Sequence, residues 1–340
     1  MPLKKNCTIQ DIANELGVSK SLVSFVLNGK SKEKRISDEM SRKVMEVAKR
    51  MNYKPNYLAK SLRTGKSHTI ALIIADISNP FFARFARFLE LEASKYNYKV
   101  IFANSDEKKE KFGSELAVLR NRQVDGFILI PPIGSEDELL NLKKQKVPYV
   151  IVDRIFSSVD SYAVIVDNYR AGYEATKRLI QNNCKKIAIL NVNDKLVTMR
   201  ERVNGYLDAL RHHNIQVDES LIKQLKFSHE KKSVMKAIDE VIEAGTDGMF
   251  FTTSKLTILG IECLRDRGIS IPEQVAVISF DDLDAFKVTF TPISAVVQPV
   301  EQMSKRAIQL LIREIEGLSN DSSDKKNVFE VDFVFRESCL

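Results

Sequence analysis

Residues 8–28 carry the groups best suited to chemistry in this 340-residue chain. Lys20, Ser21, Ser24, Phe25 and Asn28 recur at three- and four-residue intervals, so on a helix they share one face. Hydroxyls and an amide both donate and accept, and the Lys20 ammonium can donate to guanine O6 and N7. Such a set reads base edges. Phe25 can offer only apolar contact, for example to a thymine methyl, or it packs against its own bundle. Leu22, Val23, Val26 and Leu27 form the opposite, apolar face. Just upstream, Ile9, Ile12, Ala13 and Leu16 sit at i, i+3, i+4 and i+7, which predicts a short helix. Thr8 stands at its N-cap and Asp11 in its first turn, where an acid suits the dipole. Gly17 stops it, and Ser19 caps the next. A helix, a short glycine turn and a second helix exposing small polar groups make a helix-turn-helix DNA reader. An ordinary αα-hairpin fits the same stretch.

The charge is placed to match. The chain carries +7, but residues 1–68 hold fifteen Lys and Arg against six Asp and Glu, a balance of +9. The remainder has 37 bases and 39 acids, or −2. The excess positive charge thus lies wholly in the segment that reads as a DNA binder, which points to nucleic acid. Cys7, Cys184, Cys263 and Cys339 are scattered without a CxxC pair, so four reduced thiols are expected rather than a zinc site or disulfides. No cofactor is implied. No run has the length of a membrane span, and the amino terminus lacks the apolar stretch of a signal peptide, so a cytoplasmic protein is expected. An enzyme on a doubly wound fold finds no support, because G-x-G-x-x-G, Walker, G-x-S-x-G and H-E-x-x-H motifs are all missing.

Other elements must position these residues. Lys30–Arg35 is a basic loop whose groups, Arg35 included, suit phosphates. Ser37 caps a third helix with Met40, Val44, Val47, Ala48 and Met51 as its buried stripe, and the three helices close near Tyr53. Asn56 and Gly65 bracket about two turns of helix, marginal alone and needing a partner chain, DNA or both to become ordered. From Thr69 onward, apolar strands alternate with helices, the pattern of parallel sheets covered on both faces. Strands are expected at 69–75, 100–103, 126–130 and 149–152, then at 163–166, 186–191, 248–252 and 275–280, with further units at 293–297 and 329–335.

These markers resemble the lactose-repressor (LacI/GalR) family of transcription regulators. They are Thr8-Ile9-x-Asp11-Ile12-Ala13, Gly17-Val18-Ser19, Val23-Ser24-x-Val26-Leu27-Asn28 and Tyr53-x-Pro55-Asn56-x-x-Ala59-x-Ser61-Leu62. Further along come Asn79-Pro80-Phe81-Phe82, Val124-Asp125-Gly126, Asp153-Arg154, Val166-Asp167-Asn168, Arg202-x-x-Gly205-Tyr206, Phe280-Asp281-Asp282 and Gln298-Pro299. The resemblance covers nearly the whole chain. It implies a multidomain α plus α/β fold: a three-helix headpiece over 1–54, a hinge helix and linker over 55–67, and a core over 68–340. The core would hold two doubly wound parallel-sheet lobes of periplasmic-binding-protein type, lobe 1 at about 68–162 and 293–322, lobe 2 at about 163–292 and 323–340.

The resemblance further implies a homodimeric repressor on double-stranded operator DNA, controlled by a sugar-like effector. On DNA it assigns Thr8, Ser19, Lys20, Ser21, Ser24, Phe25, Asn28, Arg35 and Tyr53 to the headpiece contacts. Family members often have a polar or basic residue where Phe25 stands, which puts the base preference in question. Asn56, Ala59, Leu62 and Arg63 match the hinge, with Leu62 as the minor-groove wedge. In the core it points to Phe81, Phe82, Asp153, Arg154, Asp167, Arg202, Ser254 and Asp281, at the strand ends where open α/β sheets hold ligands. Asp167-Asn168 and Asp282 also fit as helix caps. Ser254-Lys255 replaces the Asn-Asp pair of many relatives; Lys255 either favours an anionic effector such as a sugar phosphate or lies on the surface. A periplasmic sugar-binding protein would share the core but not the basic headpiece.

Overall fold

The computed structural model describes residues 7–53, 65–192, 195–226, 231–318 and 325–340. Contacts divide the chain into two units, Met1–Ser67 and His68–Leu340. The expected hinge residues Asn56, Ala59, Leu62 and Arg63 lie outside the described residues.

In the first unit, α1 (Ile9–Leu16) opens on a reciprocal cap. Thr8 Oγ1 accepts from the Asp11 amide at 3.3 Å while Asp11 Oδ2 accepts from the Thr8 amide at 2.8 Å, which satisfies donors the helix leaves open. Gly17 ends it at φ 63°, in the left-handed region where a side chain is strained. Ser19 and Ser37 cap α2 (Lys20–Leu27) and α3 (Asp38–Arg50). The faces left apolar by this spacing meet in one small core of Ile12, Ala13, Val23, Val26, Val44, Val47 and Ala48. An Arg50–Glu15 ion pair ties α3 to α1.

The second unit runs β1 (Thr69–Ile74), α4 (Pro80–Lys95), β2 (Lys99–Asn104), α5 (Lys109–Asn121), β3 (Gly126–Leu129), α6 (Glu136–Lys144), β4 (Tyr149–Val152) and β5 (Tyr162–Val166). It continues with α7 (Asn168–Gln181), β6 (Ile187–Val192), α8 (Val197–His212), β7 (Ile222–Leu225), α9 (Lys231–Glu243), β8 (Gly248–Phe251), α10 (Ser254–Asp266) and β9 (Ala276–Phe280). Last come β10 (Ser294–Val297), α11 (Val300–Ile315), β11 (Lys326–Phe329) and β12 (Asp332–Val334). Two six-stranded sheets result, ordered β2-β1-β3-β4-β5-β11 and β7-β6-β8-β9-β10-β12. The first is wholly parallel; in the second, β12 alone runs antiparallel, against β10. The central strands are buried on both faces, as their unbroken apolar runs require.

The lobe boundaries expected from sequence need correction. The strand 163–166, placed in lobe 2, pairs with β4 in lobe 1 through the Ile151–Ala163 register. The strand 293–297, placed in lobe 1, pairs with β9 in lobe 2 through Ser279–Ala295. The run 329–335, read as one strand, is two: β11 joins β5 in lobe 1 and β12 joins β10 in lobe 2. Helix α11 does cover lobe 1, where Ser304 Oγ donates to Phe85 O at 3.3 Å. An apolar run shows that a strand is buried on both faces, but not which neighbour it pairs with. The chain therefore crosses between lobes after β5, after β10 and after β11.

Candidate functional site

Each unit holds one candidate site. On the headpiece, Lys20, Ser21 and Asn28 are exposed and Ser24 and Phe25 half-buried, all on α2 or, for Asn28, at its C-cap. Asn28 donates to Ser24 O at 2.7 Å, which fixes its amide at the helix end. Phe25 does not join the headpiece core; the Lys34 ammonium lies 5.5 Å over its ring. Arg35 is exposed. Thr8 and Ser19 spend their hydroxyls on capping, so any DNA contact they make shares that role. Tyr53 is half-buried against the core, and burial raises its hydroxyl pKa.

In the second unit the carboxyl ends of both sheets face one cleft. Asn79 caps α4 by accepting from the Phe81 amide at 3.0 Å, which sets Phe81 and Phe82 at the cleft wall. Their rings meet edge to face with centroids 5.1 Å apart. Asp153 follows β4 at φ 67° and Asp281 follows β9 at φ 72°. These are corresponding strands in the two sheets, each fourth in its order from the β2 or β7 edge. Both aspartates hold the left-handed conformation, uncommon outside glycine, and both carboxylates line the cleft.

Arginines complete the wall. Arg154, 3% exposed, donates to both Glu107 carboxylate oxygens at 2.5 and 2.8 Å and to Pro131 O at 2.9 Å. Arg202, 2% exposed, donates from Nε to Asn168 Oδ1 at 2.8 Å and from Nη1 to Thr252 O at 2.5 Å. Its guanidinium lies 3.2 Å from the Phe280 ring centroid, a cation–π stack. Burial pushes Asp281 up to about 6, against the pull of Arg202 and of Gln298, whose Nε2 donates to Asp281 Oδ1 at 2.7 Å. Burial also raises Asp153, opposed by Arg154 and Arg202. The same cause lowers Arg202 to about 10.

Arg202 is held there by a glycine crossing. Helices α7 and α8 touch where a Cβ on Gly172 would lie 2.2 Å from Arg202 O and one on Gly205 2.1 Å from Tyr169 O. Only hydrogens fit, and that approach brings Asn168 to Arg202.

Of the expected effector residues, the structure gathers Phe81, Phe82, Asp153, Arg154, Arg202 and Asp281 at the cleft. Asp167 is elsewhere: its carboxylate caps α7, accepting from the Arg170 amide at 2.9 Å. A carboxylate one residue before a helix satisfies the helix's open donors first. Ser254 is fully buried at the start of α10 behind Thr253, which lines the cleft in its stead. Asp282 caps no helix; it holds Arg336 through two contacts of 2.8 Å. Sequence reasoning missed Asp76, Glu107 and Met199 as lining residues. Gln298 and Asn79 sat in quoted motifs without an assigned role. Glu107 lies in a polar loop with no periodicity to single it out. The cleft encloses about 80 Å³ and shares Phe81, Asp281 and Gln298 with an adjoining cavity of about 400 Å³.

Among the described residues no cluster of His, Cys, Asp and Glu could hold a metal, and no helix is long and apolar enough to cross a membrane. Residues 8–56 match the bacterial regulatory proteins of the lacI family, and residues 67–327 match the periplasmic binding proteins and sugar binding domain of the LacI family. The chain belongs to the LacI family. This LacI-family chain is 31% identical over 324 residues to catabolite control protein A of Priestia megaterium, covering 94% of the chain and 95% of that protein. It is 27% identical over 333 residues to the ribose operon repressor of Haemophilus influenzae, covering 97% and 98%. In structure it matches a transcriptional regulator CelR–cellobiose complex with a TM-score of 0.70 at 27% identity, over 98% of this chain and 100% of that one. It is a DNA-binding transcriptional regulator and not an enzyme.

Proposed function

We propose that this LacI-family regulator is a cytoplasmic repressor that binds palindromic operator DNA as a homodimer, under control of a small sugar-like effector held between its lobes. One observation carries the effector reading. An aromatic wall of Phe81 and Phe82 faces the carboxylates of Asp153 and Asp281 beside Arg202. Aromatic faces suit the apolar faces of a sugar, and carboxylates accept from its paired hydroxyls. Gln298 Oε1 adds support, since it lines the cleft and is buried without a hydrogen-bond partner among the described residues. A buried polar atom left unpaired costs roughly 1–3 kcal/mol, which an effector hydroxyl would recover. Thr253 takes the place expected for Ser254 at the cleft wall, and Asp167 serves as a cap.

On DNA, α2 lies in the major groove with Lys20, Ser21, Ser24, Phe25 and Asn28 towards the bases, while Arg35 and its loop meet phosphates. Asn56, Ala59, Leu62 and Arg63 serve the hinge, where Leu62 from each subunit wedges a central base step. Exposed Val288 and Phe290, at 83% and 107%, give the core an apolar surface of the kind that self-association covers. Lobe closure alters the separation of the two hinges, and a coupling of about 1–3 kcal/mol suffices for control. The test is a gel shift of the full chain on sites mapped across the genome, with and without sugars. Leu62→Ala lowers operator affinity and leaves effector affinity unchanged; equal operator binding by the variant refutes the wedge.

A further inference from the structure

Lys255, at the cleft rim, leaves open an anionic effector or a plain surface role when the sequence is taken alone. The pairing of charges argues against the anion. Lys255 Nζ lies 3.7 Å from Asp76 Oδ2, and the pair spans the lobes, since Asp76 follows β1 and Lys255 belongs to the first turn of α10. Arg154 is committed to Glu107 by two hydrogen bonds. Arg202 gives donors to Asn168 and to the Thr252 carbonyl, and both Asp153 and Asp281 feel its charge. Lining the cleft are four carboxylates, Asp76, Glu107, Asp153 and Asp281, against three cations. Arg154 and Lys255 each hold a carboxylate, Arg202 spends its donors on Asn168 and the Thr252 carbonyl, and the formal charges of the lining leave one negative over.

That surplus decides the ligand's charge. A phosphate or carboxylate group would bring more negative charge into a buried space, where Coulomb repulsion is weakly screened. To engage Lys255 it would have to displace Asp76. A hydroxyl instead donates to the surplus carboxylate, and the Phe81–Phe82 wall receives the carbon face beside it.

We propose that the cleft takes an uncharged, hydroxyl-bearing effector and rejects the phosphate ester or acid of the same molecule. This rests on the effector reading of the cleft given above. Thermal shift of the full chain, run with aldopentoses, aldohexoses and nucleosides alongside the phosphate ester of each, tests it. A neutral compound stabilises the chain and its phosphate binds at least about tenfold more weakly. Asp76→Asn, which removes one negative charge and frees Lys255, narrows that preference at least threefold. A phosphate ester that stabilises wild type as well as its neutral parent overturns the proposal, and so does a preference unchanged in Asp76→Asn. If neither half of the series stabilises the chain, the effector reading of the cleft falls, and this inference with it.

Discussion

Gly205→Ala tests whether the crossing of α7 and α8 builds the effector site. The added Cβ would lie 2.1 Å from Tyr169 O and 2.6 Å from Tyr173 N, against ordinary contact of 3.4–4 Å. Both obstacles are backbone, so no side chain can swing away and the helices must part by about 1 Å or more. Overpacking costs about 1–3 kcal/mol where side chains absorb it, and here the upper end applies. At roughly 2 °C per kcal/mol for a unit of this size, the core's melting temperature falls by about 6 °C. Arg202 and Asn168 sit on the facing turns of the same crossing, 2.8 Å apart. Parting the helices breaks that contact, and effector affinity falls about tenfold. Gly113→Ala serves as the control, because its Cβ meets only the Glu138 side chain at 3.7 Å. Mid-helix, that change stabilises by up to about 1 kcal/mol. Scanning calorimetry with effector titration reads both. A Gly205→Ala variant that melts like wild type and binds effector normally refutes the argument.

Other consequences are as concrete. Thr8→Ala removes the α1 capping box and costs the headpiece about 1 kcal/mol, read as faster amide exchange along α1 with α3 least affected. Phe25 presents an aromatic face rather than a donor, so replacing thymine by uracil at the base it meets weakens operator binding, while Phe25→Ala binds both operators alike; a wild type indifferent to every such replacement refutes the methyl contact. Asp281 has its pKa raised to about 6 from 3.8, so the native chain binds this proton more tightly and gains stability as pH falls from 7 to 4. Asp281→Asn removes a charged-form cost of at most about 3 kcal/mol at pH 7, which raises the effector-free melting temperature there, leaves it level with wild type near pH 4, and weakens effector binding. A variant no more stable than wild type at pH 7 contradicts the burial cost.

Elements were legible where a face is buried. The headpiece helices followed from apolar residues at helical spacing and from Thr8, Ser19 and Ser37 at the caps, all found in those roles. Central strands followed from unbroken apolar runs. The edge strand β7, Ile-Lys-Gln-Leu, escaped notice because an edge exposes part of its surface and carries polar residues that break the run. Pairing was less legible still. β5 and β10 look alike as apolar runs, and only the geometry after each determines that one extends β4 and the other β9.

The site shows the same division at the scale of single charges. The family resemblance pointed to Asp153, Arg154, Arg202 and Asp281, and the cleft gathers all four. What they do there depends on partners distant in sequence. Glu107 takes up Arg154 from 47 residues away, and Asp76 meets Lys255 across the lobes. A lysine seen alone fits either an anion receptor or a surface position; here it faces a carboxylate of the opposite lobe at 3.7 Å. The two carboxylates at the strand ends then matter most. Asp153 and Asp281 stand at matching strand ends of the two lobes, each in the left-handed conformation. A ligand whose hydroxyls reach both carboxylates binds the closed arrangement better than the open one. That differential affinity is what a population shift requires, so under the proposed reading the carboxylates that receive the effector would also couple its binding to lobe closure.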